Sequence, residues 1–237
     1  MTVFLNKDEN KQISDSLFIP DVKLWSPESP FLYVLEASSQ GDTLNTRFGM
    51  RKLRFDIATR RAFLNDTVYF LRGTNLPLFR VMEDSLCGSN PWREEWINRL
   101  LRIIPKEFHW NMIRTHISVL PEKWLDMCDE EGLMLQYEFP WWTTRSWWDT
   151  KTTITETKRW MKDSWNHPSV VIWDICNETK SPQTREVIEA VRNCDLSDRP
   201  WDNGYSLPVK ETDPIEDHHY LSYLQKWGHS KWEKDLV

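Results

Sequence analysis

The sequence predicts an α/β fold: a partial (β/α)8 barrel of about six units, entered from the last strands of an antiparallel β-sandwich. Three observations predict it. Beyond Phe63, short β-branched and aromatic runs alternate with helical stretches, the pattern of a parallel sheet covered by helices. The strand runs are almost continuously apolar, as strands buried on both faces are. Nearly every run also ends in polar residues: Arg72 and Asn75, Arg114 and His116, Glu138, Asn177 and Glu178, Asp202, and His218. A barrel gathers such ends onto one rim, whereas a doubly wound sheet would collect them at a switch point.

Residues 1–56 read as strands. "FLYVLEASS" (31–39) leads into a turn at Gln40-Gly41-Asp42, and "LNTRFGMRKLRFD" (44–56) follows. Pro27 and Pro30 in "WSPESP" suit an edge or an entry loop. An immunoglobulin-like sandwich needs ~7 strands and ~100 residues, so about half of one is expected here. The barrel is expected over 57–237. "TVYFLRGTN" (67–75) is its first strand, and Pro91 opens a helix with Trp96, Leu100, Ile103 and Ile104 on one face. "NMIRTHI" (111–117) is the second strand, followed by a helix from Pro121 that Gly132 closes. "LMLQYEFP" (133–140), a helix over 152–165, "VVIWDICNE" (170–178) and a helix over 183–193 come next. "RPWDNGY" and "EDHHYLSY" supply weaker fifth and sixth strands.

Composition excludes several classes. The formal charge is −6, so no basic surface points to nucleic acid. No run approaches the ~18 apolar residues of a membrane helix, and the N-terminus has no signal-peptide core. Cys87, Cys128, Cys176 and Cys194 form no C-x-x-C pair, which argues against a zinc cluster, and the seven glycines frame no phosphate loop. No cofactor is expected. The 15 tryptophans are the anomaly; most are expected in the core, the rest as platforms for sugar faces.

"LWSPESPFLYVLEA", "FGMRKLRFD" with "FLNDTVYFLRGTN", "NMIRTHISVLPEKWLDMCDEEGLMLQYEFP" and "NHPSVVIWDICNE" together resemble glycoside hydrolase family 2, which includes β-galactosidases, β-glucuronidases and β-mannosidases. The resemblance implies a retaining exo-glycosidase acting on carbohydrate. It makes Glu178 the acid/base and gives Asn177 the sugar 2-hydroxyl. Retention needs two carboxyl groups ~5–5.5 Å apart, and the acid must have a raised pKa, by burial or a neighbouring carboxylate. The alternative for Glu178 is a solvated strand end. Arg114 resembles the family arginine near the nucleophile, or else forms an ion pair with Glu138. His116 stands one residue nearer that arginine than in the commonest family pattern. Trp141 and Trp142 line a sugar subsite or cover the rim, and Asp202, His218 and Tyr220 sit at the ends of later strands. Asp174 replaces the small residue usual after the motif Trp. Arg80 in "RGTNLPLFR" either binds a substrate carboxylate or pairs with Glu83 or Asp84 on its own loop.

One departure from the family pattern bears on function. The family nucleophile is a Glu ending the seventh strand, but only 59 residues follow Glu178 in a chain of 237. Barrel units take about 31 residues each. The later carboxylates, Glu186, Glu189, Asp195, Asp198, Glu211, Glu216 and Glu233 among them, fit no nucleophile-like strand end. The expectation is a fragment lacking strands seven and eight, inactive by itself. The alternatives are a non-catalytic carbohydrate-binding remnant, or an enzyme of another Asn-Glu barrel family with its nucleophile on a partner chain. Oligomerisation and compartment stay open.

Overall fold

The computed structural model describes residues 4, 6–39, 41–142 and 148–218. Its centre is a five-stranded parallel sheet formed by Gly73–Leu76 (β6), Met112–Thr115 (β7), Met134–Glu138 (β8), Val170–Asp174 (β9) and Trp201–Asp202 (β10). The strands stand in the order β10-β9-β8-β7-β6, each beside its neighbour in sequence. A doubly wound sheet must reverse its order at a switch point. This one never does, so it is part of a (β/α)8 barrel.

Ahead of it, Tyr33–Ser39 (β1) and Asp42–Phe48 (β2) form an antiparallel hairpin closed at Ser39↔Asp42, with Gly41 at φ +85°. Leu53–Asp56 (β3), Arg61–Leu64 (β4) and Thr67–Tyr69 (β5) make a separate three-stranded antiparallel sheet. Two expected strands are therefore broken. The run over 44–56 stops at Phe48, because Gly49 packs so close to Pro168 that a Cβ would stand 2.7 Å from its ring, and Met50 bridges to Leu24. The run over 67–75 divides between β5 and β6. Its middle is tied down by Asn111, whose Oδ1 accepts from Arg72 N and whose Nδ2 donates to Phe70 O. The boundary expected between 56 and 57 falls in the turn of the β3–β4 hairpin.

The helices follow the expected order. A short helix, Leu78–Glu83 (α1), had no counterpart in the sequence reading. After a 3-10 turn at Asn90–Trp92, the next helix runs as Glu94–Asn98 (α2), a π-helical stretch over Arg99–Ile103, and Ile104–Glu107 (α3). Pro105 explains the wide turn: it has no N–H to donate to Leu101 O, and its ring crowds that carbonyl. Glu122–Glu131 (α4) ends on Gly132 at φ +72°. A side chain there would be strained, and its Cβ would stand 2.6 Å from Pro27 O. Thr150–Ser164 (α5) starts on Asp149, which accepts from Thr152 N at 2.7 Å. Pro182–Val191 (α6) starts on Ser181 and continues into a 3-10 turn, Arg192–Cys194. The expected sixth strand is not seen over 216–218, and its remainder lies outside the described residues.

Two apolar clusters fix the barrel's polarity. Trp124, Leu125, Trp160, Met161, Val187 and Ile188 of the helices cover Leu135, Tyr137 and Trp173 of the sheet. Trp25, Leu53 and Leu64 instead plug the N-terminal end against Met112, Met134, Val171 and Ile172. Trp25 is fully buried, and its indole donates to Asp129 O at 2.8 Å. With the base sealed, chemistry has access only to the C-terminal rim. Trp25, Trp124, Trp160, Trp173 and Trp201 are buried as expected, and Trp142 is exposed at that rim. Among the described residues no helix is long and apolar enough to cross a membrane.

Candidate active site

Arg114 is the penultimate residue of β7, and polar residues from β8, from β9 and the loop after it, and from the segment around Glu216 converge on it. Its Nε donates to Asp174 Oδ2 at 2.9 Å, and its Nη2 to Asn177 Oδ1 at 3.2 Å and Glu216 Oε1 at 3.0 Å. The same Nη2 lies 2.8 Å from Glu138 Oε2, a charge contact without the alignment of a hydrogen bond. Register explains the meeting. Arg114 pairs with Gln136 across β7 and β8, Glu138 with Asp174 across β8 and β9, and Asp174 with Asp202 across β9 and β10. Gln136 Nε2 ties the last two together, donating to Asp174 Oδ2 and Asp202 Oδ2 at 2.9 Å each.

Acid groups outnumber cations here, so protons stay on. Burial, reinforced by neighbouring carboxylates, raises the pKa of Glu138 and of Asp202. Asp174 is also raised, mainly by burial and against the pull of Arg114. Asp174, Asp202 and Glu216 oxygens lie within 4.8 Å of one another, but the Arg114 guanidinium occupies the place a cation would take. The other such cluster, Asp126, Asp129 and His167, is likewise engaged: Arg47 pairs with Asp126, and His167 Nδ1 lies 2.6 Å from Asp129 Oδ2.

The strand expected over 170–178 ends at Asp174, so Asn177 and Glu178 lie in the loop just after β9 and not in the strand. Asn177 is 1% exposed, its backbone N–H donates to Trp141 O at 2.9 Å, and its Nδ2 has no acceptor among the described residues. Glu178 has φ +45°, a left-handed conformation that a non-glycine residue adopts only under strain. His218 Nδ1 lies 2.9 Å from Glu178 Oε1, and Tyr205 Oη donates to the same oxygen at 3.3 Å. The expected raised pKa is not found. Burial alone would lift Glu178, but the His218 hydrogen bond and charge, with hydrogen bonds from Tyr205 and Trp142, hold it below the ordinary value.

The other predicted residues divide. His116 stands beside Arg114, its Nδ1 3.3 Å from Nη1, and burial together with the Arg114 charge pushes its pKa down to about 4. Trp141 is 5% exposed and packs in the core, while Trp142 lies edge-on to His116 at 6.1 Å. Asp202 is buried below the rim, its Oδ1 accepting from Gly204 N at 2.9 Å. Arg80 lies exposed on α1 over the Phe79 ring, 5.0 Å from its centroid. Among the described residues it forms no ion pair, so the pairing with Glu83 or Asp84 is not made. Tyr220 and Glu233 lie outside the described residues. Sequence reasoning missed Gln136 and Glu216, and gave Asp174 no role. Glu216 belongs to no described strand, yet its side chain is 6% exposed within the mouth. The available signal was an acid or amide inside an otherwise apolar strand, as in "MLQYE" and "VVIWD".

Comparison with known proteins gives the same direction. The TIM barrel domain of glycosyl hydrolases family 2 matches residues 102–229, more than half of the chain. The family's "Glycosyl hydrolases family 2" domain matches residues 2–51. A putative β-glucuronidase of Formosa agariphila is 30% identical over 78% of this chain and 18% of its own length. A β-galactosidase of Thermoanaerobacterium thermosulfurigenes is 28% identical over 66% of this chain and 22% of its own length. Among solved structures, Bacteroides uniformis β-glucuronidase 3 superposes with a TM-score of 0.60 at 27% identity, covering 76% of this chain and 24% of that one. The chain thus spans about a fifth of the length of these curated relatives.

Proposed function

The chain belongs to glycosyl hydrolases family 2, and from that premise we propose that it carries the acid/base half of a retaining exo-glycosidase site. By family it is a glycoside hydrolase, and its relatives' names point to carbohydrate substrates. The observation that carries the reading is the pair just after β9. Glu178 holds a strained left-handed backbone, and beside it the Asn177 amide keeps a buried donor with no acceptor among the described residues. A buried donor without a partner costs free energy. A sugar 2-hydroxyl accepting from it would recover that cost and hold C1 near Glu178.

The described residues offer no free nucleophile. Glu138, Asp174, Asp202 and Glu216 are buried, and each is held by Arg114, Gln136 or His218. Among the described residues, five parallel strands do not close a barrel wall between β10 and β6. The 237-residue polypeptide is therefore expected to show no turnover of aryl β-glycosides. Release of aglycone above the level of a Glu178→Gln control would overturn this.

Within the family we assign a preference for uronosides. Arg80 is an exposed guanidinium without an ion pair among the described residues, beside Phe79, whose ring lies 5.6 Å from His116 at the mouth. A guanidinium fork pairs with a carboxylate, which uronic acids have and neutral hexoses lack. The relatives named as β-glucuronidases favour the same reading. In an enzyme that extends this chain to a closed barrel, Arg80→Ala is expected to lower the uronoside-to-hexoside ratio of kcat/KM by roughly tenfold to a hundredfold, the worth of one charged hydrogen bond. Equal ratios for paired glucuronide and glucoside, or galacturonide and galactoside, in the unmodified enzyme would end the assignment.

A further inference from the structure

We propose that Glu216 is a positioning residue that acts through His218 to keep the proton off Glu178, an inference that rests on the acid/base reading of Glu178. The two ring nitrogens of His218 face two carboxylates: Nδ1 lies 2.9 Å from Glu178 Oε1, and Nε2 is paired with Glu216 Oε1. A neutral imidazole donates from one nitrogen only. Two donated bonds therefore require either an imidazolium or a proton on one of the acids. Glu216 Oε1 also accepts from Arg114 Nη2 at 3.0 Å. With Glu216 Oε1 engaged by Arg114 Nη2 and paired with His218 Nε2, it is placed as the acceptor of the Nε2 proton, which fixes the ring with Nδ1 toward Glu178. The remaining proton has one short path. It moves from His218 Nδ1 to Glu178 Oε1, leaving a neutral imidazole and a neutral acid with no other bond changed.

The surroundings of His218 agree. Arg114 and His116 face it from the β7 end, Glu178 from the β9 end, and Tyr205 from the loop after β10, its ring edge-on at 5.4 Å. Glu216 and Asp217 flank it in sequence. Arg114 opposes a charge on His218 but is itself saturated by Asp174, Glu138 and Glu216. The pairings with Glu216 and Glu178 prevail and raise the His218 pKa, while Glu178 falls.

The test uses the full 237-residue chain labelled with ¹³C in histidine and glutamate. NMR follows His218 Cε1–H and Glu178 Cδ against pH. In the unmodified chain His218 is expected to titrate above the ~6.5 of a free histidine, with Glu178 Cδ reporting that step. In Glu216→Gln the His218 midpoint is expected to fall and the Glu178 midpoint to rise, and Glu216→Asp should restore part of both shifts. A merely structural Glu216 would move neither midpoint in a folded variant. A His218 midpoint at or below the free value in the unmodified chain overturns the proposal, whether or not the variants fold. So does an unchanged Glu178 midpoint in folded Glu216→Gln. Neither result touches the acid/base reading, which stands or falls on turnover by Glu178→Gln enzyme.

Discussion

Glu178→Gln, made in an enzyme that extends this chain to a closed barrel, is expected to lower kcat for glycosides with poor leaving groups by about 10²–10⁴. The amide keeps the shape of the carboxyl group and can still meet Tyr205 and His218, so the left-handed backbone at φ +45° has no new reason to relax. What it loses is the transferable proton. Substrates whose aglycone is a strongly acidic phenol leave without protonation, and their glycosylation step should lose far less. The pH profile gives an independent check. Glu178 is held below the ordinary carboxylate value by His218, Tyr205 and Trp142 acting against burial. The proton-bearing form is therefore scarce at neutral pH in the ligand-free site. With poor leaving groups kcat/KM should rise as pH falls toward the Glu178 titration, and the Gln variant should lose that limb. Equal losses on both substrate types would show that Glu178 does not donate the proton.

Much of this arrangement was legible in the sequence because barrel strands obey simple rules. "VVIWD" is apolar for four residues and then acidic, and it is an interior strand of the described sheet with all five residues buried. Pro121 and Gly132 bracket α4 just as their backbone preferences demand. Three features escaped for physical reasons. The strand breaks at 49–52 and 70–72 are set by contacts with Pro168 and Asn111, residues distant in sequence. The π-helical stretch over Arg99–Ile103 preserves the apolar face that predicts a helix, so periodicity cannot reveal it. Glu216 was misjudged because strand position was made the criterion for a site carboxylate. Irregular backbone delivers its side chain to Arg114 across 102 residues of chain. The pKa of Glu178 failed for a related reason. The reading weighed burial and acidic neighbours, and the group in contact is a histidine.

Arg114→Met should be the most destabilising single substitution at the mouth. Methionine is similar in length and apolar, so little volume is lost and the effect isolates charge. Arg114 is the cation facing Asp174, Glu138 and Glu216, and those side chains are 0%, 0% and 6% exposed. Removing one partner of a buried ion pair typically costs about 3–5 kcal/mol, because the surviving charge is left in a poorly polarisable site. Part of that loss can be escaped by taking up protons, which gives the prediction a sign in pH. Glu138, Asp174 and Asp202 already have raised pKa values in the folded chain. Groups raised in this way bind more protons folded than unfolded, so their contribution to stability is full below the unfolded value and is lost as pH rises through the folded one. Without Arg114 the carboxyl groups shift further upward and that loss grows. Urea denaturation of both proteins should therefore show the gap between them wide near pH 8 and narrowing as the pH falls toward 5, where the acids become neutral and need no counter-charge. A gap that stays constant with pH, or one that widens in acid, would mean that Arg114 holds the mouth by packing alone and that the buried carboxyl groups do not depend on its charge.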